Sequence, residues 1–198
     1  ILHTDIPGLD LAPADRVLAS AQIELVDLPD RERRLDAAIQ ALLTAPADDQ
    51  DEDGYDLVLI DTPPSLGLLT LNALAASDHV LIPVQSEYLA LEGLSQLVET
   101  LELVRGSMNE RLALIGILLT MLDARTNLSL QVANEVRKHF PAATFQTTIP
   151  RSVRLSEAPS FGRPIKTYDP SSRARRAYAD LANELLARLG MSEETAPS

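Results

Sequence analysis

Residues 57–67 read LVLIDTPPSLG: four aliphatic residues, an aspartate, a threonine, two prolines and, after a short step, a glycine. An aliphatic run that ends in a carboxylate is the pattern with which nucleotide hydrolases hold magnesium beside phosphates, directly or through a water. Buried strands also end in Asp to cap a turn, so Asp61 has two readings at this point. The neighbours favour the first. Pro63 and Pro64 cannot donate to a sheet ladder and fix the chain direction, so the strand must stop two residues after the carboxylate. Gly67 permits an unusual backbone angle or a close approach to a phosphate. An acid, a rigid step and a glycine are what a loop needs to sense a terminal phosphate.

The usual companion of such a loop is absent from the sequence. A phosphate cradle reads G-x-x-x-x-G-K-[ST], with backbone amides and a lysine around the phosphates. The chain has two lysines, Lys138 and Lys166, and neither follows a glycine. Other chemistries fare worse. His3, His79 and His139 have no metal-binding spacing, there is no cysteine, and Ser65, Ser152 and Ser156 lack a nucleophile-elbow setting. The absence of cysteine fits a reducing cytosol.

The elements that must position Asp61 follow from periodicity. YDLVLID, 55–61, is apolar on both faces, as a central parallel strand is, and 79–84 and 112–122 read as further buried strands. A short strand is expected at 144–149. Helices are expected over 14–26, 31–43, 66–76, 88–105, 127–140 and 171–189, with a strand remnant in GLDLAPA, an acidic loop at 45–56 and an irregular stretch from 150 to 170. Strands alternating with helices imply a mainly parallel sheet covered on both faces, an α/β three-layer sandwich. Ligands of such sheets sit beyond the carboxyl ends of the strands, and Asp61, residues 120–123 and residues 150–153 each follow an expected strand. One domain is expected over 1–189, followed by a disordered polar tail at 190–198.

Charge is distributed unevenly. Residues 1–99 carry 19 acidic residues against four arginines, a balance of −15, whereas 100–198 carry 10 acids against 13 bases, a balance of +3. Residues 125–176 alone hold ten bases and three acids. A polyanion-binding face, if the chain has one, belongs there; the alternative is ordinary solvated surface. No apolar run approaches the roughly 20 residues of a membrane span, and the N-terminus lacks the order of a signal peptide, so a cytoplasmic location is expected.

Four stretches carry a resemblance. Residues 55–104, 116–140 (GILLTMLDARTNLSLQVANEVRKHF), 149–165 (IPRSVRLSEAPSFGRPI) and 168–185 (YDPSSRARRAYADLANEL) resemble the ParA (Soj) family of chromosome and plasmid partitioning ATPases. The resemblance implies a P-loop NTPase-like fold, here truncated at its N-terminus so that Ile1 falls after the expected phosphate loop, and the chain alone should hydrolyse no ATP. It further implies ATP and Mg²⁺ as cofactors of the complete protein, with Asp61 organising the magnesium and Asp61, Pro63 and Gly67 forming the catalytic switch loop. Met121, Asp123, Pro150, Arg151, Ser152 and Val153 match segments around the adenine. Arg125 and Arg154 match positions that hold double-stranded DNA without sequence preference, which suits cationic donors on irregular segments. The implied partners are nucleoid DNA, a ParB-like protein and, with ATP, a second copy of the chain. Two rivals remain. A MinD-like positioning ATPase would need a basic amphipathic C-terminal helix, whereas the last residues here are acidic and polar; a non-catalytic DNA-binding or dimerisation module would need no nucleotide.

Overall fold

Three of the apolar runs form one parallel sheet. In the computed structural model, which describes residues 1–44, 54–87 and 90–191, the chain divides into two units, Ile1–Ser77 and Asp78–Ser198. In the second unit β3 (His79–Gln85), β4 (Ala113–Leu122) and β5 (Thr144–Pro150) are hydrogen-bonded in the order β3-β4-β5, all parallel. Parallel neighbours need crossovers, and the crossovers are α4 (Ala90–Ser107) and α5 (Asn127–His139). Side chains alternate along β4. Leu118 packs with Phe145 and Ile149 against Ala177, Leu181 and Leu185 of a long C-terminal helix, α8 (Arg173–Leu189). Ile117 and Leu119, fully buried, therefore point to the opposite face, and both faces of the sheet are covered. The α/β expectation holds, as do the three strands to within one or two residues.

The β4–β5 ladder is irregular, and α8 compensates. Ile117 pairs with Thr144 and Leu119 with Thr148, so four residues of β5 span what two span on β4. Such a bulge leaves backbone groups without ladder partners. Glu184 on α8 accepts the backbone N–H of Gln146 and of Thr147, each at 2.8 Å. One turn further on, Arg188 donates from Nη1 to the carbonyls of Ile115 and Ala143 and from Nη2 to that of Thr144 and to Glu184, all at 3.0–3.1 Å. Its guanidinium lies 3.9 Å from the centre of the Phe145 ring, a cation–π placement. Burial pushes the Glu184 carboxyl up, but the N–H donors of Thr147 and Gln146 and the Arg188 charge outweigh this and leave it below its usual range.

The segment between β5 and α8, expected to be irregular, is broken into short pieces: α6 (Val153–Glu157), a 3-10 turn over Ala158–Phe161 closed by the left-handed Gly162, and α7 (Ile165–Tyr168). Its prolines and its glycine prevent a longer helix.

In the first unit, β1 (Leu2–His3) and β2 (Asp10–Leu11) pair antiparallel, so the strand remnant expected in GLDLAPA is one arm of a small hairpin. α1 (Arg16–Glu24) starts at Asp15, whose carboxylate accepts the N–H of Val17 and of Leu18. A 3-10 turn, Arg31–Arg33, leads into α2 (Arg34–Thr44). Against these packs α3 (Leu68–Ala76), which carries all the buried side chains described in this unit. Asn72 ties the three together: its amide donates to the carbonyls of Arg31 and Leu68, and its oxygen accepts the N–H of Leu35.

One expected element is missing. Residues 55–61 form no strand, and Leu57, Val58 and Leu59 are exposed, Leu59 at 76%. A strand exists only as a member of a ladder, and among the described residues this segment has no ladder partner. The acidic stretch at 45–53 and the tail at 192–198 lie outside the described residues, as does Tyr88. Among the described residues no helix is long and apolar enough to cross a membrane.

Gly116 allows the approach of α8 to the sheet. A Cβ at this position would run into the Phe145 ring and the Arg188 guanidinium. Gly116→Ala should therefore destabilise the fold by about 1–3 kcal/mol through overpacking, read as a lowered denaturation midpoint at unchanged m-value. An unchanged midpoint would show that ring and guanidinium move aside at no cost.

Candidate functional site

Two of the loops expected to carry function meet at the carboxyl ends of β4 and β5. Leu122 pairs with Pro150, and the N–H of Arg151 donates to the Leu122 carbonyl at 3.1 Å. Met121, Asp123 and Arg125 are thereby placed next to Pro150, Arg151, Ser152 and Val153. The backbone turns sharply on entry: Met121 has φ 52°, in the left-handed region that a residue with a Cβ occupies at a cost. It is the point at which the ladder shifts register before Leu122, so the strain re-aims the loop.

Asp123 organises the turn that follows. Its N–H donates to Oγ of the buried Ser129, and its carbonyl accepts the N–H and the hydroxyl of Thr126, the residue before α5. Its carboxylate accepts the N–H of Arg125 at 3.1 Å and then holds that guanidinium at both oxygens, at 2.9 Å from Nε and 2.8 Å from Nη2. The Arg125 side chain is 87% exposed, yet its fork is filled by its own turn.

Arg154 lies on α6, directly after β5, and is also paired. Nη1 donates to Glu157 at 3.0 Å, and Nε lies 3.5 Å from Asp169. Tyr168 donates its hydroxyl to the same Glu157 oxygen at 3.0 Å, and its ring lies 5.1 Å from that of Phe161. Glu157 first, and then Tyr168, raise the guanidinium pKa further above its already high value. The pairing of 154 with 157 is the i, i+3 spacing of a helix and is legible in the sequence, whereas the approach of Asp169 across a 3-10 turn and α7 is not.

Asp61, Pro63 and Gly67 lie in the first unit. Asp61 is exposed on the irregular segment, and Pro63 is exposed beside it. The loop is tied down at its far end, where Thr70 donates its hydroxyl to the carbonyl of Ser65 at 2.6 Å and Leu71 donates its N–H to that of Gly67. Gly67 has φ −91° and ψ −176°, an extended conformation open to any residue. The unusual backbone angle considered for it is thus not used, and Gly67 serves as the N-cap of α3, a position that glycine suits.

A family model described as an AAA domain matches residues 1–114. Over 187 residues, 94% of the chain, the sequence is 54% identical to the sporulation initiation inhibitor protein Soj of Bacillus subtilis and 48% identical to the chromosome partitioning protein ParA of Caulobacter vibrioides. The chain belongs to the ParA/Soj family. It spans 70% of the length of the first of these relatives and 67% of the second. Among solved structures, cobyrinic acid a,c-diamide synthase from Mycobacterium smegmatis with bound ADP and magnesium superposes on 94% of this ParA/Soj chain, with a TM-score of 0.68 at 32% identity, and 65% of that protein is covered. The parallel sheet with helices on both faces is thus a P-loop NTPase-like fold.

The Asp123–Arg125 pair makes a prediction about acid. The Arg125 side chain first, and then its N–H, hold the Asp123 carboxyl down at about 2. A depressed carboxylate contributes stability above its unfolded value of about 3.9, and loses it as pH falls toward its folded value. Arg125→Ala should move the Asp123 midpoint up toward the ordinary aspartate range, as followed by carboxyl carbon NMR. An unmoved midpoint would mean that the pair does not form in solution.

Proposed function

We propose that this ParA/Soj chain acts in chromosome or plasmid partitioning as part of an ATP-dependent dimer. In this reading the dimer holds double-stranded DNA without sequence preference through Arg125 and Arg154, and a ParB-like protein stimulates hydrolysis and release. The observation that carries the reading is the 54% identity to Soj over 94% of the chain. It is supported by the placement of Arg125 on the loop after β4 and of Arg154 on α6 directly after the neighbouring β5, since phosphate contacts need cationic donors and no base readout. The cytoplasm, on nucleoid DNA, is the matching location.

The residues present fit the metal better than the phosphates. Mg²⁺ keeps several waters and takes one or two carboxylates besides phosphate oxygens, so an exposed Asp61 is a suitable single ligand. Among the described residues there is no cluster of three or more metal-ligating side chains, which an all-protein cage would require. Magnesium, when bound, neutralises charge on the phosphates. Asp61 would orient it, Pro63 and Gly67 would shape the loop facing the terminal phosphate, and Met121, Asp123, Pro150, Arg151, Ser152 and Val153 would line the base. The 198 residues contain no glycine–lysine phosphate loop, so the lysine that binds phosphate is not among them.

Two experiments on the full-length protein test this. With two arginines from each of two subunits, log affinity for duplex DNA against log salt should have a slope of about −4, and Arg125→Ala with Arg154→Ala should abolish most of both affinity and slope. Wild-type affinity and slope in the double variant would remove these arginines from the DNA surface. Asp61→Ala should lower ATP turnover about 10- to 100-fold at unchanged thermal stability, the range for lost metal organisation. Unchanged turnover would remove Asp61 from the site.

A further inference from the structure

Both arginines assigned to DNA are already neutralised by carboxylates of their own chain. At Arg125 one carboxylate fills the fork. At Arg154 there are two, Glu157 on Nη1 and Asp169 on Nε, so one positive charge sits between two negative ones and the cluster carries −1. A DNA phosphate brought to Arg154 meets a centre of its own sign. Carboxylate and phosphate oxygens use the same guanidinium donors in the same planar geometry, so one excludes the other at each N–H.

The clamp is built to yield. Its side chains remain accessible, at 57% for Arg154, 40% for Glu157 and 25% for Asp169, and exposed ion pairs are weak and screened by salt. Glu157 stays anchored when the arginine leaves, because it also accepts the hydroxyl of Tyr168. Asp169 stays anchored because its carbonyl accepts the N–H and the hydroxyl of Ser172, and its carboxylate the hydroxyl of Ser171. The two acids therefore persist beside the site as competitors and do not swing away with the guanidinium.

We infer that Glu157 and Asp169 are intramolecular competitors of DNA phosphate at Arg154, and that they set the DNA affinity of the protein below what its arginines alone would give. This rests on the DNA-binding reading of Arg154. It assigns these acids a role opposite to that of a positioning shell, whose removal weakens binding.

The test measures non-specific duplex DNA binding by the full-length protein, in its nucleotide-bound form, across a salt series. Glu157→Gln with Asp169→Asn keeps an acceptor for Tyr168 and for Ser171, and should bind about three- to tenfold tighter near 0.1 M salt, the scale of two exposed ion pairs. Asp180→Asn, which removes one charge from the exposed face of α8, controls for net charge and should change affinity less than about twofold under the same screening. Thermal unfolding checks the fold, and Asp169→Asn alone carries the test if the double variant unfolds. Unchanged or weaker binding by a folded variant overturns the inference, as does an equal gain from Asp180→Asn. The underlying reading fails separately. If Arg125→Ala with Arg154→Ala leaves DNA binding intact, the arginines are not the DNA contacts; if that variant loses binding but removal of the acids does not tighten it, only the competition is wrong.

Discussion

The geometry of the second unit depends on the Glu184–Arg188 pair of α8. Parallel ladders supply evenly spaced partners, and the bulge between Thr144 and Thr148 removes them at two successive N–H groups. Leaving the part-buried N–H of Thr147 unpaired would cost about 1–3 kcal/mol, and the exposed N–H of Gln146 less. One carboxylate accepts both, and the arginine one turn away donates to the carbonyls of Ala143 and Thr144 at the start of the same strand and to that of Ile115 on β4. Because Arg188 also lies flat on Phe145, a fully buried ring of the core, polar satisfaction and apolar packing are fixed by a single side chain. Gly116 is the space this needs. The register of β5 follows from the pair, and with it the direction in which residues 150–154 leave the sheet.

Those exits carry the proposed site residues, where the rule for parallel sheets, that irregular backbone beyond the carboxyl ends holds the chemistry, would put them. Arg125 projects from the loop after β4 and Arg154 from α6, and each is matched by an acid within four residues in sequence, Arg154 also by Asp169 at the end of α7. The Met121 kink is the second unusual feature of the same edge. Strained, non-glycine left-handed residues persist only where the surroundings over-determine them. Here the ladder on one side and the Asp123 turn on the other do so.

The three paired strands were legible because continuous apolar runs bounded by polar turns admit few other readings. The run at 55–61 carries the same signal and is not a strand, since apolarity reports how well a segment would pack and says nothing of whether a neighbour is present to bond it. Gly67 was legible as a special position, but its ordinary dihedrals could not be foreseen, because a glycine in sequence does not disclose which of its freedoms is used. Arg125 and Arg154 stood out from the charge pattern, whereas their neutralisation did not: the Asp169 contact spans a proline, a left-handed glycine and a short helix. Glu184 and Arg188 read as ordinary i, i+4 surface charges on an amphipathic helix. Only the bulge they face gives them a role, and a bulge has no sequence signature of its own here.

The charge of the whole chain constrains the proposed mechanism. At a net charge of −12 these 198 residues would repel DNA at long range, and at physiological salt any attraction would be confined to about 8 Å. Binding must then come from a few close contacts, each adding a near-constant increment to the salt slope. In the proposed mechanism a single copy, with two arginines, would hold DNA weakly. A dimer would bring the second pair to the same duplex at high effective concentration, so its affinity would rise far more than twofold with no new kind of contact. A switch between states works only if those states differ in affinity, and a subunit that bound DNA strongly alone would leave dimerisation little to change. In that mechanism the acids that hold the arginines would lower the affinity of every subunit, and because each subunit brings its own acids the cost would be met twice in the dimer, so the competition would set the DNA affinity of both states.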